Sequence, residues 1–318
     1  MNYLFLLLGL VTLIVGGEFL VKGGVGIAKK FSLSSLVIGM TVISFGTSSP
    51  ELIVSIQAAL SGNSEIAVGN VIGSNIANIA LVLGITIMIF PIIVGRNSKI
   101  IDWPMMMFAS ILFFAFAYDG ILSRLEGGIL FTMLIVFTTH LIRSSRKASK
   151  AEVEEFEELV EEHVEEKHPS MAKSIGFLLL GLVGLYFGAT WLLEGAVNIA
   201  TEFGMEQRVI GITIIAFGTS VPELVTSGVA AFRKETDIAL GNLIGSNIFN
   251  IMSVIGITAM VRPIPVSESI INYDMIWMLG ISLLLLPLML IGKKMGKLKG
   301  VMLFGTYVVY ILTLLIAI

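Results

Sequence analysis

Residues 37–86 and 209–258 are two versions of one sequence. The first begins VIGMTVISFGTSSPEL and ends IAVGNVIGSNIANIALVLGIT; the second begins VIGITIIAFGTSVPEL and ends IALGNLIGSNIFNIMSVIGIT. The copies align without a gap at a constant offset of 172, and 30 of the 50 aligned positions are identical. The best-matched strings are polar, so shared hydrophobicity does not explain them, and a duplication does. Each copy lies inside long apolar stretches. Hydrophobic residues make up 56% of the 318-residue chain and charged residues 14%, against about 25% charged in soluble domains. Mean hydropathy is +0.95. A chain like this folds as two equivalent halves surrounded by lipid.

A membrane-spanning helix needs about 20 mostly apolar residues. That rule predicts ten spans, near 2–27, 34–60, 65–90, 102–117, 124–142, 171–200, 208–232, 237–260, 273–291 and 300–318. The first lacks a basic leader and carries Glu18 and Lys22, so it reads as a span and not as a cleaved signal. One set of alternate loops and segment ends holds sixteen Lys and Arg, among them Lys29, Lys30, Arg143, Lys147, Arg233 and Lys294. The other holds only Arg124, Arg208 and Arg262. The positive-inside rule therefore predicts both termini outside a cell (plasma) membrane and the loop 143–170 in the cytoplasm. The expected fold class is all-α polytopic, with ten transmembrane helices in two five-helix halves, 1–142 and 171–318, joined by that loop. Five is odd, so the second half is inverted. Inverted repeats recur in secondary transporters, with the substrate site at their interface near the midplane.

The repeated strings carry the chemistry. Gly46-Thr47-Ser48-Ser49-Pro50-Glu51 and Gly218-Thr219-Ser220-Val221-Pro222-Glu223 each place a proline in an apolar helix. Proline lacks the N–H of a continuing helix. A break is expected there, freeing carbonyls around Ser44, Phe45, Ala216 and Phe217, which survive at membrane depth only where protein, water or an ion satisfies them. Hydroxyls of Thr47, Ser48, Thr219 and Ser220 add oxygens. Glu51 and Glu223 have no Lys or Arg in these motifs, and a carboxylate at membrane centre costs about 2.5–3.5 kcal/mol on insertion scales. Bound cations are the expected counter-charge, and an all-oxygen shell suits Ca²⁺ or Na⁺. The chain has no cysteine and three histidines, which disfavours zinc and copper. In the second string, Ser74 and Asn78 share a helix face, as do Ser246 and Asn250. Asn78 and Asn250 are expected at or beside the ions. Asn70, Asn75, Asn242 and Asn247 are expected to make interhelical hydrogen bonds.

GTSxPEL followed by GNxIGSNIxNI, present twice, resembles the α-repeats of the cation/Ca²⁺ exchanger superfamily, and the chain is most similar to its prokaryotic Na⁺/Ca²⁺ exchanger branch. The resemblance covers both repeats and the ten-span layout. It implies a secondary antiporter exchanging Na⁺ for Ca²⁺ by alternating access at overlapping sites. It also implies four ion positions: Glu51 and Glu223 as Ca²⁺ ligands sharing Na⁺, Thr47 and Thr219 supplying carbonyls and hydroxyls, Ser44, Ala216, Ser74 and Ser246 completing flanking Na⁺ sites, and Asn78 and Asn250 lining the centre. Spans one and six, each bearing several glycines, would slide as a gating pair. Some relatives carry Asp at the position of Asn250, associated in K⁺-dependent members with K⁺; Asn here argues against K⁺ dependence. The H⁺-coupled exchangers typically carry a different motif.

Residues 143–170 contain a basic run, Arg143–Lys150, suited to anionic headgroups, and an acidic run to Lys167 with Val153, Phe156, Val160 and Val164 at helical spacing. A short amphipathic helix or tether is expected; the ligand pattern of an EF-hand is missing. No nucleophile–base constellation points to an enzyme, and no cofactor, nucleic acid or obligatory protein partner is expected. Two other readings stay open on the residues alone: an H⁺-coupled or K⁺-dependent antiporter of the same fold, and a passive cation channel.

Overall fold

The computed structural model describes residues 2–62, 64–157, 170–204, 216–292 and 294–317, almost all of them helical. Among the described residues, eight helices are long and apolar enough to cross a membrane: α1 (Asn2–Lys30), α4 (Glu65–Ile89), α5 (Ser98–Ala117), α6 (Arg124–Glu157), α7 (Met171–Glu202), α10 (Thr236–Val261), α11 (Ile270–Leu290) and α12 (Lys297–Ala317). A ninth span is broken into α2 (Ser35–Thr47) and α3 (Ser49–Leu60), bent by 42°. In the second half α8 (Ala216–Thr219) and α9 (Val221–Phe232) stand where α2 ends and α3 runs; the stretch 205–215 before them lies outside the described residues.

The two halves meet by reciprocal contacts. Asn75 Nδ2 donates to the backbone oxygen of Asn247, and Asn247 Nδ2 donates to that of Asn75, at 3.3 and 3.2 Å. A Cβ on Gly9 would lie 2.4 Å from the Leu192 nitrogen, and one on Gly181 would lie 2.5 Å from the Leu20 nitrogen. These pairs exchange under the offset of 172, as contacts across a two-fold axis do. Two short antiparallel pairings follow the same scheme: β1 (Ile92–Ile93) with β4 (Lys294–Met295), and β2 (Ile121–Leu122) with β3 (Ile264–Pro265).

Helices α4 and α10 form the centre. In their most apolar windows 78% and 83% of residues are buried, against 17–39% in the other six. Their small and amide side chains let backbones approach, whereas α5, α11 and α12, rich in Met, Leu and Phe, turn much of their surface to lipid. Helices α1 and α7 pack against each other along a glycine seam. There a Cβ on Gly23 would meet the Leu178 nitrogen at 2.5 Å, and one on Gly195 the Leu6 nitrogen at 2.8 Å.

Some boundaries differ from the sequence reading. Helix α5 begins at Ser98, a π-helical turn before Trp103. Helix α6 does not stop at 142. It carries the basic run through Arg143–Lys150 as continuous helix to Glu157, because no proline or glycine interrupts it. The rest of the expected amphipathic helix, from 158 on, lies outside the described residues.

Gly23→Ala and Gly181→Ala push backbone against backbone and are expected to cost about 1–3 kcal/mol of stability. Gly176→Ala, with nothing within 4 Å of the added Cβ, is expected to be neutral or stabilising, since alanine favours helix. Thermal unfolding of the purified protein in detergent distinguishes the three.

Candidate ion-binding site

The proline motif breaks the helix where the sequence calls for it. Helix α2 ends at Thr47, Ser48 adopts φ −87°, ψ 3°, and α3 restarts with Pro50 in its first turn, where a missing N–H costs nothing. Ser220 has φ −92°, ψ 3°, and Pro222 opens α9 likewise. Glu51 and Glu223 therefore stand in the first turns of α3 and α9. A helix N-terminus there offers a carboxylate about 0.3–1 kcal/mol, up to ~2 when partly buried. The carbonyls are less bare than the break alone suggests. The oxygen of Ser44 still accepts the Ser48 N–H at 2.9 Å, and that of Phe45 accepts the Ser49 hydroxyl at 2.7 Å. Ala216 opens α8, with its side chain and Phe217 outside the described side chains.

Glu51 and Glu223 are both 0% exposed. None of their four carboxylate oxygens has a hydrogen-bond partner. The same holds for Ser48 Oγ, Ser220 Oγ, Ser74 Oγ, Asn78 Oδ1 and Asn250 Oδ1. Nine of the fifteen orphaned buried side-chain atoms among the described residues thus belong to this one group. Native proteins satisfy buried polar atoms in the great majority of cases, so nine orphaned oxygens on these residues make them a candidate cation site. With two carboxylates and only neutral oxygens besides, the set fits a hard cation.

Ser44, Thr47 and Ser246 meet around Asn242. Ser44 Oγ lies 2.7 Å from the oxygen of Gly39 and 3.0 Å from that of Asn242. Thr47 donates to Asn242 Oδ1 at 3.2 Å and lies 3.3 Å from Ser246 Oγ. Thr219, the last residue of α8, is half-buried. Asn70 and Asn242 brace the glutamate helices, donating to Ser55 Oγ at 3.2 Å and Ser227 Oγ at 3.1 Å. The part of Asn242 in holding Thr47 was not legible in the sequence. Nor were the π-helical turns Ala77–Leu83 and Asn250–Ile255 that contain Asn78 and Asn250. Such bulges rotate side chains out of helical register and cluster at functional sites. The only hint was buried-type amides recurring three apart, Asn75/Asn78 and Asn247/Asn250.

Access is asymmetric. A cleft of about 270 Å³ reaches Thr47 and Pro50 between α3 and α7, lined by Ile53, Leu182 and Tyr186. On the equivalent opposite side α1 is pressed against α9, a Cβ on Gly17 meeting Val225 at 3.0 Å. The ion pairs of Glu18 with Arg233 and Lys22 lie along the same edge.

The family model for sodium/calcium exchanger protein matches residues 1–143 and 173–316. Sodium/calcium exchanger MaX1 of Methanosarcina acetivorans is 34% identical over 98% of this chain and 98% of its own. Inner membrane protein YrbG of Escherichia coli is 32% identical over 96% of this chain and 94% of its own. Among solved structures, the sodium-calcium exchanger NCX_Mj soaked with zero Na⁺ and Ca²⁺ superposes with TM-score 0.84 at 32% identity, covering 98% and 97% of the two chains.

Gly245 packs where a Cβ would lie 2.4 Å from Ser44 Oγ and 2.7 Å from Met40 Cα. Gly245→Ala is therefore expected to displace Ser44 and weaken Ca²⁺ binding to the purified protein by about tenfold or more, the scale of losses in a metal's supporting groups. Equilibrium ⁴⁵Ca²⁺ binding without Na⁺ measures it.

Proposed function

This chain belongs to the sodium/calcium exchanger family, and on that premise we propose which residues carry its ions, how its halves are divided and how it sits in the membrane. It is a Na⁺/Ca²⁺ antiporter, with Na⁺ and Ca²⁺ as its transported substrates. Glu51 and Glu223 are the shared charged ligands. Thr47, Thr219, Ser48, Ser220, Ser44, Ala216, Ser74, Ser246, Asn78 and Asn250 supply neutral oxygens, those toward Ser74 and Ser246 serving flanking Na⁺. The observation that carries this reading is the nine orphaned oxygens gathered on residues of both halves. Two negative charges in a dry site are balanced by one Ca²⁺ or by at least two Na⁺. Occupancy by one ion therefore excludes the other, and an empty, doubly charged site is held back from crossing by its desolvation cost. The cleft beside α7 is the open access of the state described, and the Gly17–Val225 contact is its closed counterpart. The glycine seam packs α1 closely against α7, so that the pair slides as one body against the bundle.

The halves are 1–142 and 171–318, with 143–170 between them. Parity supports ten crossings. Strands β1 and β4 pair and so share a side. Between them run α5, α6, α7, α10 and α11, five spans, so the stretch containing α8 and α9 makes the sixth. The Lys and Arg distribution puts both termini outside and 143–170 in the cytoplasm of a cell membrane. The open cleft then faces outward.

Glu51→Gln and Glu223→Gln are each expected to reduce Na⁺-gradient-driven ⁴⁵Ca²⁺ uptake into proteoliposomes to background while the protein still inserts. Near wild-type uptake by either variant refutes the assignment. With Asn at both 78 and 250, uptake is expected to ignore K⁺. Uptake driven equally by a pH gradient without Na⁺ moves the coupling ion to H⁺. For orientation, Glu65 and Asp237 are both exposed and 172 apart. The chain has no native cysteine, so Glu65→Cys and Asp237→Cys can be labelled singly. An impermeant thiol reagent outside right-side-out vesicles is expected to label position 65 and spare 237. Labelling of both from one side overturns the inverted halves.

A further inference from the structure

Four asparagines meet across the two-fold relation, and their hydrogen bonds allow one arrangement. A backbone carbonyl can only accept, so the oxygens of Asn247 and Asn75 draw the Nδ2 groups of Asn75 and Asn247 toward them, at 3.3 and 3.2 Å. The second amide hydrogens point to sulfur: Asn75 Nδ2 lies 3.8 Å from Met278 Sδ and Asn247 Nδ2 lies 3.7 Å from Met106 Sδ, again a pair 172 apart. Sulfur is a weak acceptor and does not donate here. Both amides are thereby held with Oδ1 facing the opposite half. Each Oδ1 accepts from the asparagine three residues further on in the other repeat: Asn250 Nδ2 to Asn75 Oδ1, and Asn78 Nδ2 to Asn247 Oδ1, both at 3.1 Å. With their NH₂ groups engaged, Asn78 and Asn250 turn Oδ1 away from this network, and both oxygens are buried with no donor.

We infer that Asn75 and Asn247 are positioning residues for ion selectivity and affinity, each fixing across the two-fold which end of the partner amide, Asn250 or Asn78, faces the cation. This rests on the ion-site reading above and adds residues that touch no ion. Free to rotate, a carboxamide could offer its NH₂ to a cation and repel it; tied by its nitrogen, it can only offer oxygen. The arrangement also locks the two central helices together at the ion site through side chains of both repeats, so a shift of one amide is felt in the other half.

The test is equilibrium ⁴⁵Ca²⁺ binding to the purified full-length carrier in Na⁺-free buffer. Asn75→Leu and Asn247→Leu keep volume and remove the amide. Each is expected to raise the half-saturating Ca²⁺ concentration about 10- to 100-fold, the range seen when groups behind metal ligands are lost, with the number of sites per folded protein unchanged. Asn75→Ser stands in should the leucine variant fail to insert. Double variants separate positioning from packing. Combined with Asn250→Ala, Asn75→Leu is expected to add little, because its target is gone. Combined with Asn78→Ala, on its own helix, the two losses are expected to multiply. Unchanged affinity, or coupling to Asn78 instead of Asn250, overturns the inference. Glu51→Gln and Glu223→Gln run alongside. Loss of binding there with full affinity in the leucine variants removes the positioning role alone, whereas wild-type binding in the glutamine variants removes the ion site itself.

Discussion

Two carboxylates with no donor, set against each other in the middle of a membrane protein, are the constraint on which the rest of this structure depends. Each charge costs about 2.5–3.5 kcal/mol to place at that depth on insertion scales, and among the described residues no carboxylate oxygen of Glu51 or Glu223 has a hydrogen-bond partner within normal geometry. A helix N-terminus offsets a part of that cost. On the proposed ion site the remainder falls to a bound cation, which makes the ion a structural element of the centre as well as cargo. Transport follows from the same proposal: a site that is stable only when loaded favours crossing when loaded.

Much of the surrounding architecture serves this pair. Pro50 and Pro222 end one helix and begin another, so that each glutamate stands at a fresh N-terminus and not on the side of a long rod. Small residues along α10 let α2 approach until Ser44 and Thr47 join the group; at Gly245 even a methyl would collide with the neighbouring backbone. The π-helical turns supply a local change of register just where Asn78 and Asn250 must look inward. Farther out the requirements relax. Helix α12 and, apart from Met106 and Met278 beside the asparagines, helices α5 and α11 mainly supply apolar surface.

The exchange-symmetric contacts have a mechanical meaning. Where i touches j and its repeat mate touches the mate of j, the contact belongs to the core common to both access states. The asparagine group and the α1–α7 glycine seam are of this kind. Where the mates differ, the molecule is in one particular state. The cleft at Ile53 and Tyr186 and the tight meeting of Gly17 with Val225 differ in this way. The symmetric contacts therefore outline two bodies, the α1–α7 pair and the bundle around α4 and α10, and the asymmetric ones outline the surface between them.

The sequence by itself determined that this chain is a membrane-embedded, duplicated helical protein, and its repeated polar strings named the candidate site residues. Hydropathy sets span length, proline and glycine set the breaks, and a polar string repeated at a fixed offset inside apolar helices has no place to be satisfied except against its own copy. That is why Glu51, Glu223, Ser74, Ser246, Asn78 and Asn250 could be named before the fold was known. The sequence did not reveal that α6 runs unbroken past its membrane segment, since a charged helix and a charged loop read alike until one knows what packs beside them. It also did not distinguish the two asparagines of each GSNxxN string. Asn75 and Asn78 are the same residue three positions apart. Asn78 keeps a buried oxygen without a donor, the group proposed to face the ions, while Asn75 braces, because a carbonyl of the opposite half, Asn247, captures its amide nitrogen. That partner is 172 residues away along the chain and arrives only when the two halves close on each other, so only the tertiary structure could assign the roles.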